Sequence, residues 1–367
     1  MRAYKGRKKE LYINIIFMVL LLNLKNIFII LVILVILFNY LFLILIYKFM
    51  YNKLYLYSAN NDHRTSYYKQ PPIKYMEKLN WKIINLENNS KIINNKKEFT
   101  NYLNTNNIKV ILIFNFEYLL KSISVYEDYF KAANIYILTF SNDLHYKYNA
   151  NVTKKKQQMN LIHNFENIFI CANYYYCYLK FYNINSKKII PYPPFVDEDL
   201  YVDFNIKPII KVLLSGSKTK EYPARKKLNK IASKNSNIVV LKHGKYSGHE
   251  YIKYLNTFLC CFTCCANKSL PYIVAKFFEI PSSGSLLLAY DEFVKDELKN
   301  LGFIDGKNYI SCSLNNIEDK INYILNPINL NEINQIRKNG YEFVWSKHTQ
   351  SHRLNYVNNF VINNIIN

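Results

Sequence analysis

Lys276 and Glu279 stand three residues apart in the segment Ala275 to Gly284, a spacing that puts an ammonium and a carboxylate on one face of a helix. Ser282, Ser283 and Gly284 then form a tight turn into the apolar run Ser285 to Ala289. That layout offers a cation and a carboxylate beside a tight backbone turn at the C-terminal edge of a sheet, where open α/β folds hold nucleotides. Upstream, Ser269 suits the N-cap and Pro271 the first turn of a helix expected over Leu270 to Ile280. The free amides and dipole at that end would add an anion site.

A second group follows the apolar strand that starts at Ile209. In Ser215-Gly216-Ser217, Gly216 lets backbone amides approach a phosphate, and Arg225 brings a guanidinium to the first turn of the next helix. The segment is neither a Walker A loop nor a Gly-x-Gly-x-x-Gly turn. A third group, Asn142-Asp143-Leu144-His145, follows a strand end. His145 is a near-neutral proton handler there, and Asp143 a carboxylate able to take a proton. The plain alternatives are an exposed ion pair, an ordinary strand-to-helix turn and a solvated loop histidine.

No metal site is expected. Cys260, Cys261, Cys264 and Cys265 have Cys-x-x-Cys spacing, but strand alternation points them to opposite faces and no second pair stands at finger distance. They read as buried strand cysteines. His348 and His352 lack the intervening Glu of a zincin helix.

Alternating elements must position these groups. Strands are expected at Trp81 to Leu86, Ile108 to Phe114, Ile135 to Phe140, Ile168 to Cys171 and Lys188 to Pro191, with helices between them. After the Pro-rich run Pro191 to Pro194 a second half repeats the pattern, through strands at Ile209, Ile238 to Leu241, Phe258 to Cys264, Ser285 to Ala289 and Tyr309 to Cys312. Such alternation predicts an α/β fold with two parallel sheets and right-handed crossovers, in a twin-Rossmann layout.

The quoted segments carry a resemblance. Lys276, Phe278-Glu279 and the small-small-Gly turn resemble the donor-sugar segment of GT-B glycosyltransferases, closest to the spore-protein (CgeB-like) group and related to families 1 and 4. Gly216, Ser217, Tyr222, Pro223 and Arg225 match that group's nucleotide-domain turn, and the pattern from Val344 through His348-Thr349 to Arg353 resembles its C-terminal end. Glu279 aligns with the later Glu of the family 4 Glu-x7-Glu motif, while Pro271 stands where the earlier Glu would be.

The resemblance implies a GT-B fold of two Rossmann-like domains facing across a cleft. It implies an acceptor domain over 73–205, a nucleotide-sugar domain over 206–340 and a C-terminal helix over 341–367 crossing back, with Trp345 and His348 at the seam. It also implies a metal-independent, retaining, hexosyltransferase-like enzyme. The donor would contact Gly216, Ser217, Arg225, Ser269, Lys276, Glu279, Ser282, Ser283 and Gly284, with His145, Asp143 and Lys276 catalytic. The nucleotide-sugar is a substrate, no cofactor is called for, and the acceptor is a hydroxyl of a glycan, protein or lipid.

The rest of the chain bounds this reading. Its 367 residues carry 48 Lys and Arg against 26 Asp and Glu, a formal charge of +22. The lysines are scattered singly among Asn and Tyr instead of clustering on one element, which argues against a nucleic-acid face. From Leu11 to Tyr47 the only charge is Lys25, and Ile27 to Tyr47 is long enough for the about 20 residues a spanning helix needs.

Residues 1–57 are therefore expected as a basic tip and transmembrane anchor, and 58–72 as a linker. Arg2, Lys5, Arg7, Lys8 and Lys9 favour a type II topology of the Golgi or endoplasmic-reticulum kind. Insertion of Leu11 to Leu24 as well would instead return the body to the cytosol. Seven cysteines lean toward a reducing compartment, and sequons at Asn88, Asn151 and Asn267 lean the other way. The rivals to an enzyme are a catalytically silent GT-B scaffold and a basic nucleic-acid-binding membrane protein.

Overall fold

The computed structural model of the chain describes residues 29–41, 53–57, 72–85, 95–114, 126–141, 162–172, 183–217, 222–242, 244–265, 268 and 271–366. Asp143, His145 and Ser269 lie outside the described residues, as do Leu11 to Leu24.

Residues 1–52 and 53–367 form separate units. In the first, a helix over 29–41 is apolar and exposed along its length. Among the described residues no helix is long and apolar enough to cross a membrane, and the span expected over Ile27 to Tyr47 lies in part outside the described residues.

The second unit starts on β1 (Lys53–Tyr57), and this corrects the expected boundaries. Those residues belong neither to an anchor nor to a linker: β1 pairs in parallel with β2 (Lys82–Asn85) on one side and β3 (Val110–Ile113) on the other. Leu54 and Leu56 pack in one core cluster and Tyr55 in another, so this strand feeds both faces of the sheet. It follows an apolar run directly, and its own apolar residues therefore read as that run's tail.

β4 (Tyr136–Ser141), β5 (Ile168–Ala172) and β6 (Ile189–Pro191) complete a parallel sheet of order β2-β1-β3-β4-β5-β6. The second sheet holds β7 (Ile209–Leu214), β8 (Ile238–Val240), β9 (Phe258–Cys264), β10 (Leu286–Tyr290) and β11 (Ile310–Cys312), all parallel, in the order β11-β10-β9-β7-β8. β9 and β10 are buried at every residue, as continuous apolar runs in a parallel sheet covered on both faces should be. The described cysteines are all free and buried, and burial pushes the Cys261 thiol up to about 12.

Both sheets reverse strand order between their first and third strands, at β1/β3 and at β7/β9. Open α/β folds hold ligands at the carboxyl ends of the strands at such a switch point.

Helix α1 (Ile73–Lys78) serves the first sheet. The second is served by α2 (Pro223–Ala232), α3 (Gly248–Asn256) and α4 (Lys276–Ser282). A long helix, α5 (Leu330–Lys347), packs on α4 and β10, whereas α6 (Gln350–Val361) puts Leu354, Val357 and Val361 into the core of the first sheet. The chain passes from the second sheet's side to the first at His348–Thr349, between α5 and α6, and not at 341. There Val196 donates its N–H to the His348 carbonyl at 3.0 Å and accepts the Gln350 N–H at 2.8 Å.

Candidate active site

Gly216 follows the carboxyl end of β7 with a φ of +96°, a left-handed conformation that a side chain resists. A methyl group built there would stand 3.0 Å from Lys276 Cε and 3.1 Å from Arg225 Nη1. The turn, the first-turn residue of α2 and the first residue of α4 therefore meet at one point. That point is the β7/β9 switch: Arg225 Nη2 donates to Thr263 Oγ1 near the end of β9 at 3.3 Å, and Nη1 to the Ser217 carbonyl at 3.3 Å.

Arg225 is 3% exposed, and its guanidinium lies 4.2 Å from the centre of the Tyr222 ring. Its Nε is buried with no hydrogen-bond partner among the described residues. Such an orphan donor on a cation is costly unless the site completes it. The Tyr222 and Tyr272 hydroxyls, 2.6 Å apart, tie the segment before α2 to the segment before α4.

Lys276 Nζ lies 3.7 Å from Glu279 Oε2 and donates to the Tyr251 hydroxyl at 2.7 Å. Tyr251 in turn is 2.9 Å from the Oγ of Ser215, the buried residue before Gly216. Burial would push Lys276 down, but Tyr251 and Glu279 outweigh it and hold the ammonium above its ordinary range. Glu279 is 6% exposed. Two cations and one carboxylate thus gather around a bare stretch of backbone, a charge balance that suits a diphosphate next to a hydroxyl-bearing group.

Several expectations are corrected here. The helix starts at Lys276, with Ala275 as its N-cap and no side-chain cap, later than the start expected at Leu270. The amides of Phe277, Phe278 and Glu279 are already spent on the carbonyls of Val274 and Ala275. The positive charge at this point is therefore that of the Arg225 and Lys276 side chains.

Ser282, Ser283 and Gly284 end the same helix. Ser282 Oγ donates to the Glu279 carbonyl and Ser283 Oγ to that of Ile280, while Gly284 takes a φ of +82°. Their carbonyls accept from Trp345, Asn256 and Arg337 respectively. These three residues close a helix and dock it on its neighbours.

Tyr251, Ser215 and Thr263 were not foreseen. Tyr251 sits in α3 next to Ile252 and one turn from Leu255, both buried, and reads in sequence as one more residue of an amphipathic face.

His348 packs at the crossing between α5 and α6. Its ring stacks on Phe303 and packs edge-on against Phe278 and Phe343. Arg353 Nη2 stands 2.6 Å from its Nδ1, and Nε2 stands 3.0 Å from the Leu301 carbonyl. A guanidinium only donates, so Nδ1 carries the lone pair and Nε2 the proton. Among the described residues no cluster of three or more His, Cys, Asp or Glu could hold a metal ion.

A family model described as Glycosyl transferase-like matches residues 204–359, which contain Gly216, Arg225, Lys276 and Glu279. No curated protein matches the chain. Among solved structures, Anabaena Alr3699/HepE in complex with UDP-glucose is similar at a TM-score of 0.54 and 8% identity, over 84% of this chain and 100% of that one. A glycosyltransferase from Rickettsia africae ESF-5 is similar at a TM-score of 0.51 and 12% identity, over 86% and 100%. Identity so low speaks of fold alone. The fold is the α/β, two-sheet arrangement of GT-B glycosyltransferases, and the second half of the chain carries a glycosyltransferase-like domain.

Proposed function

We propose that the protein is a glycosyltransferase that takes a nucleotide-activated sugar at the β7/β9 switch point and passes the sugar to a hydroxyl of a glycan, protein or lipid. The observation that carries this reading is the meeting of Arg225 and Lys276 over Gly216. In the reaction the bond from the anomeric carbon to the diphosphate breaks with its electron pair on oxygen. A bond to the acceptor oxygen forms, and the acceptor proton passes to a base. Arg225 and Lys276 stabilise the negative charge that builds on the diphosphate, and they do so without a metal. Glu279 holds the donor ribose.

His145 or Asp143 handles the acceptor proton, and Ser217 lines the donor turn. Retention of configuration and kinship with the spore-protein group rest on the sequence resemblance. A membrane anchor within Ile27 to Tyr47, in a type II orientation, rests instead on that uncharged apolar run and on the basic residues before it.

Pro271 in place of the earlier Glu of the Glu-x7-Glu motif favours a second reading, a catalytically silent GT-B scaffold. Thermal unfolding of the full chain in detergent, with a panel of UDP-, GDP-, ADP- and dTDP-sugars, tests the enzyme reading. At least one donor should stabilise the protein, and Lys276→Ala and Glu279→Ala should each abolish the effect. Donor hydrolysis measured alongside separates an enzyme from a scaffold. If no donor acts, or if both variants respond like the parent, the site assignment is wrong.

A further inference from the structure

The diphosphate reading above depends on one long side chain being in the right place. A lysine loses up to about 2 kcal/mol of rotamer entropy on being fixed, so something must hold Lys276. It has two candidate neighbours among the described residues. Glu279 Oε2 is 3.7 Å away, too far for a good hydrogen bond. The Tyr251 hydroxyl is at 2.7 Å, and the centre of its ring is 4.5 Å from Nζ.

Tyr251 is itself held. Its helix buries Ile252 and Leu255, and Ser215 Oγ meets its hydroxyl at 2.9 Å. Ser215 is 1% exposed and immediately precedes Gly216. The hydroxyl therefore joins the turn after β7 to the start of α4. Burial also pushes the Tyr251 phenol up, which keeps it neutral and able to accept from an ammonium. An ammonium has three donors. Tyr251 takes one, and no other described residue takes either of the others within hydrogen-bond distance.

We infer that Tyr251 is a positioning residue: its hydroxyl keeps Lys276 from collapsing onto Glu279, so that the ammonium stays available to a diphosphate and the carboxylate to a hydroxyl ligand. The inference rests on the donor-site reading above. Without the hydroxyl, Lys276 loses its hydrogen bond to Tyr251 and the attraction of the Glu279 carboxylate at 3.7 Å gains weight. The pair, on adjacent turns of one helix face, would close to direct contact and use up both groups.

Binding of UDP and of inorganic pyrophosphate to the full chain in detergent, measured by calorimetry, tests this. The comparison is made with whichever of the two binds the parent more tightly. Tyr251→Phe keeps the ring and should weaken binding about tenfold, the loss expected for one hydrogen bond to a charged group. Adding Glu279→Gln removes the competing charge, so Tyr251→Phe/Glu279→Gln should recover most of the affinity lost for that probe. A merely structural tyrosine would show no such rescue.

Ser215→Ala, which frees the phenol, should cost a few-fold and serves where Tyr251→Phe does not fold. Two results would overturn the inference while leaving the donor site intact: Tyr251→Phe binding like the parent, or no recovery in the double variant. If the parent binds neither probe, the donor-site reading itself fails, and the inference goes with it.

Discussion

Gly216 and Lys276 approach so closely that a single methyl group on the glycine would sit 3.0 Å from the lysine's Cε. Gly216→Ala should therefore act twice. Placing alanine at a φ of +96° costs about 1 kcal/mol, a fall of roughly 2–4 °C in unfolding temperature for a unit of this size. The methyl also displaces Arg225 and Lys276, so diphosphate binding should fall far more than stability. Calorimetry and thermal unfolding on one preparation check both. A variant that loses stability but binds normally would separate Gly216 from the site.

The seam makes the protein sensitive to acid. Burial, then the neighbouring Arg353 guanidinium, pulls His348 down to about 3. The unfolded chain takes up this proton near the ordinary histidine value of about 6.5, whereas the folded chain refuses it until about 3. Stability must therefore fall as the pH drops from 6.5, by up to about 1.4 kcal/mol per pH unit for the one proton. Urea unfolding of the parent and His348→Gln at pH 7, 6 and 5 should show a shallower decline in the variant. Carboxylates contribute equally to both, so identical slopes would contradict the assignment.

The true start of the body gives a test of the fold. Lys53 opens β1, is 5% exposed, and donates to the Asn358 Oδ1 at 2.6 Å and the Leu79 carbonyl at 2.8 Å. Trp81 Nε1 donates to the same Asn358 oxygen at 3.1 Å. Removing residues 1–57 strips an interior strand from the first sheet and orphans the C-terminal helix that packs on it. A fragment starting at Ser58 should be insoluble or lack cooperative unfolding, while one starting just before Lys53 should fold. Circular dichroism and a thermal melt decide between them.

What could be read in the sequence divides along physical lines. β9 runs as expected from Phe258 to Cys264, because an apolar run that long, between turn signals, has few alternatives to a buried parallel strand. Gly216, Arg225, Lys276 and Glu279 could be picked out because charge and glycine at strand-to-helix turns have a local signature. The helix start at Lys276 could not. Ser269 and Pro271 are good start signals, and tertiary packing of the Tyr272–Val274 segment overrides them. β1 was hidden by its apolar neighbour, and Tyr251 by the absence of any local mark on a tyrosine that meets a lysine 25 residues away.

The central claim is that a diphosphate lies over Gly216 between Arg225 and Lys276. Calorimetric comparison of UDP with UMP, and of the matching guanosine and adenosine pairs, on the parent and on Arg225→Gln/Lys276→Met tests it most directly. The account predicts that for one base the diphosphate binds at least about tenfold more tightly than the monophosphate, and that this preference vanishes in the double variant. A preference that survives loss of both cations, or a parent that binds no nucleoside diphosphate, would contradict it.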